Sequence, residues 1–384
     1  MPELPEVESA RRHAARLGTG KAITHAEFLD DTKIFTGPST PAEYADALRG
    51  ATLRHVGRKG KQLWLELGRG NKVSGVMMMH FGMTGSWVWL GEDVPQYRRF
   101  TVDAANWPPR FWKFHLEFAD GTKMAFTDPR RFGKAALLPS LDALAPHLDK
   151  LGFDPLLDMV PQLHFDALLA RRKRPIKAVL LDQAFCAGIG NWVADEVLYQ
   201  SRVHPEAVAS ELSDAQRARL RGAVQQVIAE AVEADADYRH FPESWLFHQR
   251  WITGKDRAGV KCGGKPVAWS EVGGRTTAFV PSVQLKTDGK RGPRDPPAPM
   301  SQDVMVQAER SVKKEIKETP SASNAKVKSK AKAKATAKEV QPSLKSAPKR
   351  SAATGAAAVV AKVSRPRRSM RTATLALSML GALL

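Results

Sequence analysis

All 28 Phe, Trp and Tyr residues of this 384-residue chain lie before residue 286, and the stretch that follows contains none. A core cannot be assembled without large apolar side chains, so this line bounds where the chain can fold. Residues 286–384 are also strongly basic: 22 Lys and Arg face 7 Asp and Glu, a net of +15 out of the chain's +19. Rich in Lys, Ala, Ser and Pro, the segment buries too little surface to offset its ordering entropy and is expected to be a disordered basic tail. Such an arm suits a polyanionic partner, most often nucleic acid. The first 285 residues carry only +4, so any claim that they bind nucleic acid must rest on motifs.

Two cysteines, Cys186 and Cys262, form no CxxC spacing and no disulfide framework, which fits a reducing compartment. Glu3, Glu6 and Glu8 interrupt the region where a secretory signal would be apolar, and the terminal run Ala373–Leu384 is too short to span a bilayer. A soluble intracellular protein with no membrane partner is expected.

Residues 1–140 read mainly as strands. Leu63, Leu65 and Leu67 alternate with Trp64 and Glu66, and Phe114, Leu116 and Phe118 with Lys113, His115 and Glu117. Period-two alternation means one face on a core and one face more polar. Helical crossovers are missing, so a β-sandwich fits better than a parallel sheet. One helix, Pro5–Leu17, precedes it. Residues 150–245 switch to helical period, with helices expected over Ile176–Gln183 and Trp192–Gln200 around the turn Ala187-Gly188-Ile189-Gly190. Ser213 and Gln216 have the form of a capping box ahead of Leu220, Val224, Ile228 and Ala231. Residues 246–285 return to hairpin character, with Gly-Gly pairs at 263–264 and 273–274. The fold class is therefore α+β: sandwich, helical domain, hairpin module, tail.

The opening Met1-Pro2-Glu3-Leu4-Pro5-Glu6 carries the sharpest chemical signal. Removal of Met1 would leave Pro2 as a free secondary amine. An α-amine has a pKa of about 8, so part of it is unprotonated at neutral pH. Attack by such an amine on a sugar C1′ gives an iminium ion directly, an electron sink for eliminating the flanking phosphates. Glu3 beside it can move protons during ring opening. Proline next to a start methionine is also an ordinary helix-initiating choice, so this pair needs company.

The company is present. The hexapeptide resembles the opening of the formamidopyrimidine-DNA glycosylase and endonuclease VIII family, and further motifs of that family follow in order across residues 1–285. The resemblance implies that Pro2 forms the Schiff base, that Glu3 is the general acid/base, and that Lys61 in Arg58-Lys59-Gly60-Lys61 contacts the substrate and supports elimination. His80-Phe81-Gly82-Met83-Thr84-Gly85-Ser86 matches the loop whose methionine fills the gap left by an extruded nucleotide. Thr127-Asp128-Pro129-Arg130-Arg131-Phe132-Gly133 matches the loop supplying Arg130 and Phe132 to the same wedge. An extruded base costs a few kcal/mol of stacking, which apolar wedges partly restore.

In the helical domain, Gly188-Ile189-Gly190-Asn191-Trp192 is a poor dinucleotide fingerprint, lacking the third glycine, and instead matches the family's helix–two-turns–helix. There Asn191 and the following helix N-terminus would hold a phosphate, with Lys177 and Arg172 as upstream basic contacts. Arg275-Thr276-Thr277-Ala278-Phe279 resembles the end of the family's zinc finger, but Val280 and Val283 replace the second cysteine pair. Four ligands are needed and are missing. Plant and fungal members keep such a zincless finger, so no metal or other cofactor is expected, and Arg275 matches the finger-tip arginine that grips the phosphates around the lesion. Phe111 stands where bacterial members carry a DNA-contacting histidine, a contact expected to be lost or moved to Lys113.

The resemblance thus implies a monomeric, nuclear, bifunctional DNA glycosylase and AP lyase acting on damaged double-stranded DNA in base excision repair. Formamidopyrimidines, hydantoins and abasic sites are the expected substrates, with 8-oxoguanine cut poorly. The alternatives are an endonuclease VIII-like preference for oxidised pyrimidines and a non-catalytic DNA-binding protein. Clusters such as Lys349-Arg350 and Arg365-Pro366-Arg367-Arg368 look like targeting or tethering segments. Deleting residues 286–384 should weaken binding to undamaged duplex and flatten its salt dependence. The single-turnover rate on saturating substrate should stay nearly unchanged. Loss of turnover in stopped-flow assays of the truncated protein would place the tail inside the active fold.

Overall fold

The structure, a computed structural model, describes residues 2–288. The first module comprises helix α1 (Leu4–Gly18), β1 (Ile23–Phe28), α2 (Pro41–Leu48), β2 (Thr52–Lys59), β3 (Gln62–Arg69), β4 (Lys72–His80) and β5 (Ser86–Trp89). It continues with β6 (Trp112–Phe118), β7 (Lys123–Thr127), β8 (Lys134–Leu138) and α3 (Leu141–Leu148). The strands form two four-stranded antiparallel sheets, β1-β6-β7-β5 and β2-β3-β4-β8. Leu63, Leu65 and Leu67 from one sheet and Phe114, Leu116 and Phe118 from the other join a single apolar cluster, which is the sandwich that the alternation predicts.

The second module carries α4 (Gln162–Ala170), α5 (Ile176–Leu180), α6 (Asn191–Gln200) and α7 (Asp214–Glu233). The capping box forms as read: Ser213 Oγ accepts from Gln216 N at 3.1 Å, and the Gln216 amide accepts from Ser213 N at 3.0 Å. Helix α5 stops at Leu180, earlier than the apolar pattern suggests, because the Asp182 carboxylate accepts from Ala184 N at 3.0 Å and turns the chain. The boundary between the first two modules is not a cut in the sequence. Val7, Ala10 and Ala14 of α1 pack into the sandwich, but Leu4 packs into the helical core with Ile189 and Val193.

A buried ion cluster fastens the two modules. Arg58 at the end of β2 donates from Nε to Glu8 of α1 at 2.6 Å and from Nη1 to Asp154 below the helical module. Asp154 also accepts from Gly60 N at 2.7 Å. The charges hold each other in place: the Arg58 and Arg11 guanidiniums pull the buried Glu8 carboxyl down to about 2. Removing one partner of such a cluster typically costs about 3–5 kcal/mol, because the others remain buried and unpaired.

The third module comprises β9 (Lys261–Cys262), β10 (Lys265–Pro266), β11 (Ala268–Val272) and β12 (Arg275–Phe279). Gly273 and Gly274 both adopt positive φ, 62° and 69°, in the two-residue turn that joins β11 to β12 and lifts Arg275 to its tip. Beneath it, Leu246, Cys262, Val267, Ala278 and Val280 make a small apolar cluster, with Val283 packed against it. Apolar packing therefore fills the positions, Val280 and Val283, at which the resemblance implied a cysteine pair, and these side chains do not fit a zinc ion. The chain stays anchored beyond the expected boundary at residue 285, through the Asp288–Arg219 ion pair at 2.8 Å and Lys286–Glu206 at 3.0 Å. The remainder of the basic tail lies outside the described residues, among which no helix is long and apolar enough to cross a membrane.

Because the hairpin is held by side-chain packing, strand cleavage at an abasic site should survive prolonged incubation with a strong chelator. A gel assay showing activity lost with the chelator and restored by zinc would overturn this account of the finger.

Candidate active site

The first residues of the chain reach the site by way of α1. Pro2 is buried, and two residues on, Leu4 N donates to Gly188 O of the helical module at 3.1 Å. Glu3 caps α1, yet its carboxylate also turns to a second helix: Oε1 accepts from Trp192 N at 2.9 Å and Oε2 from Val193 N at 3.1 Å. These are free N–H groups in the first turn of α6, where the helix dipole favours an anion. Gly190 makes this approach possible. Its backbone is extended, so conformation does not demand glycine, but a Cβ there would lie 2.3 Å from the Glu3 carboxyl carbon.

Glu6 completes the pair of carboxyls. It accepts from Glu3 N at 2.9 Å and from the Trp192 indole at 3.0 Å. Burial first, and the neighbouring Glu3 second, push its pKa up to about 7. Lys61 follows the β2–β3 turn, where Gly60 has φ 58° and a Cβ would strike Ala187 and Gly188. The close approach lets the Lys61 ammonium donate to Ile189 O at 3.0 Å. Burial pulls its pKa below the ordinary lysine value, with Arg275 acting the same way and Glu3 and Glu6 opposing. His80 is held neutral at pH 7, its pKa pushed down to about 4 by burial and by Lys61.

Lys61, His80, Asn191, Arg174 and Arg275 line one open cleft of about 510 Å³. The cleft unites residues from all three modules. Asn191 donates from Nδ2 to Thr276 O at 3.0 Å, tying α6 to the hairpin. Glu3 occupies the N–H groups of Trp192 and Val193, so an internal carboxylate shares the α6 N-terminus that was expected to hold a phosphate.

Two residues expected to contact DNA have internal partners in the structure. Lys177 is fully buried, with its ammonium 2.6 Å from Asp195 and donating to Thr277 Oγ1 at 2.7 Å. Asp195 is shared with Arg250 at 2.9 Å, so this network braces β12 from below instead of facing solvent. Arg172 bonds Leu168 O and lies over the Phe185 ring at 4.8 Å. In the same basic run it is the exposed Arg174 that reaches the cleft.

The wedge loops do come together. A Cβ on Gly82 would lie 2.3 Å from the Phe132 carbonyl carbon, so the Met83 loop and the Phe132 loop touch through backbone. Buried Asp128 organises both, accepting from Thr84 Oγ1 at 2.6 Å, Gly133 N at 2.7 Å and Arg130 N at 3.2 Å. Phe132 is exposed with Arg130 over its ring at 5.0 Å, while Met83 is half-buried. Arg131 is paired bidentately with Asp31, both bonds 2.8 Å. Exposed Phe111 adjoins this end of the sheet, its carbonyl accepting from Asp128 N at 3.1 Å. Lys113 does not take over its contact: the ammonium is 3.2 Å from Asp31 and mostly buried. The exposed cation next to Phe111 is Arg110, 4.6 Å from the ring.

Residues 1–135 match the formamidopyrimidine-DNA glycosylase N-terminal domain and residues 151–242 its H2TH domain. A formamidopyrimidine-DNA glycosylase of Arabidopsis thaliana is 42% identical over 285 residues, covering 74% of this chain and 71% of that protein. The chain belongs to the formamidopyrimidine-DNA glycosylase family. A Symbiobacterium thermophilum member is 34% identical over 75% of this chain and 91% of its own length. Among solved structures, a complex between the Lactococcus lactis Fpg and an abasic site containing DNA superposes with TM-score 0.59 at 25% identity, over 73% of this chain and 99% of that one.

In this glycosylase fold the segment from Tyr238 to Trp251 is a packed unit. Short 3₁₀ turns bury Phe241, Trp245 and Phe247 against Trp192, leaving a cavity of about 20 Å³ next to Glu6. Arg98 and Arg99 cover it from the first module, stacking on Tyr238 and Trp251. Sequence reading missed Glu6, His80, Asp128 and Gly190 as parts of the site, since each acts through a contact distant in sequence. Gly190→Ala should keep the fold but lower single-turnover base release by roughly 100-fold, since displacing Glu3 by about 1 Å suffices for such a loss. Wild-type rates in the variant would show that the Glu3–α6 contact does not position the reaction.

Proposed function

We propose that this protein is a bifunctional DNA glycosylase and AP lyase that removes oxidised purines, formamidopyrimidines in particular, and cuts the exposed strand. The observation that carries the reading is the convergence of Lys61, Arg174 and Arg275, one cation from each module, on a cleft whose Gly190 lies against the Glu3 carboxyl group. The relatives named as formamidopyrimidine-DNA glycosylases support it, as does the likeness to an enzyme complexed with abasic-site DNA. Those names favour the oxidised-purine reading over the endonuclease VIII-like one, and a DNA-binding protein without catalysis has no use for an N-terminal amine.

In this reading duplex DNA lies across the cleft with the damaged nucleotide turned out of the stack. Met83, Arg130 and Phe132 fill the vacated space, Arg275 and Arg174 engage flanking phosphates, and Phe111 with Arg110 borders the duplex. Freed of Met1, the Pro2 nitrogen attacks C1′ as the bond to the base breaks, and the base leaves with the bonding electrons and takes up a proton. The nitrogen loses its own proton, and with ring opening an iminium ion forms. Glu3, fixed by the α6 N–H groups, moves protons at the opened sugar. Loss of a C2′ proton expels the 3′ phosphate, a second elimination expels the 5′ phosphate, and hydrolysis releases Pro2. Lys61, held in a desolvated site, donates to the departing oxygens, an effect stronger there than in water. Work in the nucleus, suggested by the basic clusters near residues 349 and 365, belongs to the same proposal.

Borohydride should trap a covalent adduct between the processed protein and an abasic duplex. An uncleavable N-terminal extension should abolish both trapping and strand cleavage while duplex binding persists. Full lyase activity in the extended protein would overturn Pro2 as the nucleophile.

A further inference from the structure

On the outer face of the sandwich, far in sequence from the hairpin finger, His25, Glu27 and His115 bring three ligand atoms within 4.8 Å of one another. The sheet makes this arrangement. His25 and Glu27 are two residues apart on β1 and so project from the same face, and Glu27 is paired directly with His115 of β6. The Glu27 carboxylate oxygen lies 3.0 Å from His115 Nε2 and 3.8 Å from His25 Nε2. The two imidazoles stack at 5.5 Å with an interplanar angle of 28°. A tetrahedral zinc ion with bonds near 2.1 Å needs donor atoms roughly 3.4 Å apart, a value between the two observed distances.

We propose that His25, Glu27 and His115 form a binding site for a late first-row divalent cation, zinc or copper, with water completing the coordination. Two imidazoles and one carboxylate are a donor set that suits these ions better than calcium or magnesium, which prefer all-oxygen ligands. The His115 ring is already oriented, with Trp112 packed edge-on at 4.9 Å and Trp107 at 6.4 Å. His25 and Glu27 are exposed, so an ion can enter without any rearrangement of the core. None of the three lines the cleft that holds Lys61 and Arg275. The metal would not take part in base removal. It would link β1, the edge strand of its sheet, to its neighbour, and an ion bound only by the folded state raises stability by mass action.

The test uses the full-length protein stripped with a chelator and dialysed. Calorimetric titration should show one zinc ion bound per chain, and copper should quench tryptophan fluorescence through Trp112 and Trp107 with the same stoichiometry. His25→Ala, His115→Ala and the milder Glu27→Gln should each weaken zinc binding by roughly 10- to 100-fold or more. All three should retain the wild-type circular dichroism spectrum and wild-type abasic-strand cleavage. Zinc should raise the melting temperature of the wild type and not that of His25→Ala. Absence of saturable binding in the wild type, or equal binding in the three variants, would overturn the site and leave an ordinary surface His–carboxylate pair. Metal loading that changes the cleavage rate would overturn its separation from the catalytic cleft.

Discussion

The Glu3 carboxylate, gripped by the first-turn N–H groups of α6, is the contact on which the rest of the site depends. An anion with two hydrogen bonds at a helix N-terminus offsets a desolvation penalty that would otherwise be several kcal/mol. The same contact draws the start of α1 out of the sandwich and onto the helical module, so that Leu4 joins the helical core while Val7 stays in the sandwich. The chain's first residues are thereby fixed from two sides. Gly190 is required by this geometry, as is the Gly60 turn that brings Lys61 against the neighbouring loop.

Buried charges elsewhere follow a common logic. Arg58 with Glu8 and Asp154, and Lys177 with Arg250 around Asp195, are closed groups in which each ion is compensated within the protein. They confer little net stability relative to apolar packing of the same volume, but they are costly to break and so fix how the modules meet. The first group sets the β2–β3 turn against the helical module, and the second supports β12 under Arg275. Rigid placement of catalytic groups by such supports is what a reaction sensitive to displacements of an ångström requires.

Within each basic pair the fold ties one cation to an internal partner. Arg131 is bound to Asp31 while Arg130 lies over Phe132; Arg172 covers Phe185 while Arg174 lines the cleft. Lys113 is drawn in by the same Asp31, leaving Arg110 beside Phe111. The finger shows the apolar counterpart. Val280 and its neighbours complete a small core beneath the turn, so the tip arginine is held by packing.

Local chemistry alone determined much of this protein. Alternation in β3 and β6, the Ser213 cap, the glycine turn before Arg275 and the missing ligands at Val280 and Val283 are encoded in a few adjacent residues, whereas the Pro2-Glu3 opening gains meaning only with the motifs that follow it. The α+β class and the order of modules follow from such signals. Only the tertiary structure decided which cations are engaged internally, that the first turn of α6 receives Glu3, and that burial beside Glu3 raises the pKa of Glu6 to about 7. The reason is physical: the state of a charged side chain depends on partners and desolvation supplied by residues up to about 190 positions away, and neither leaves a mark in the local pattern.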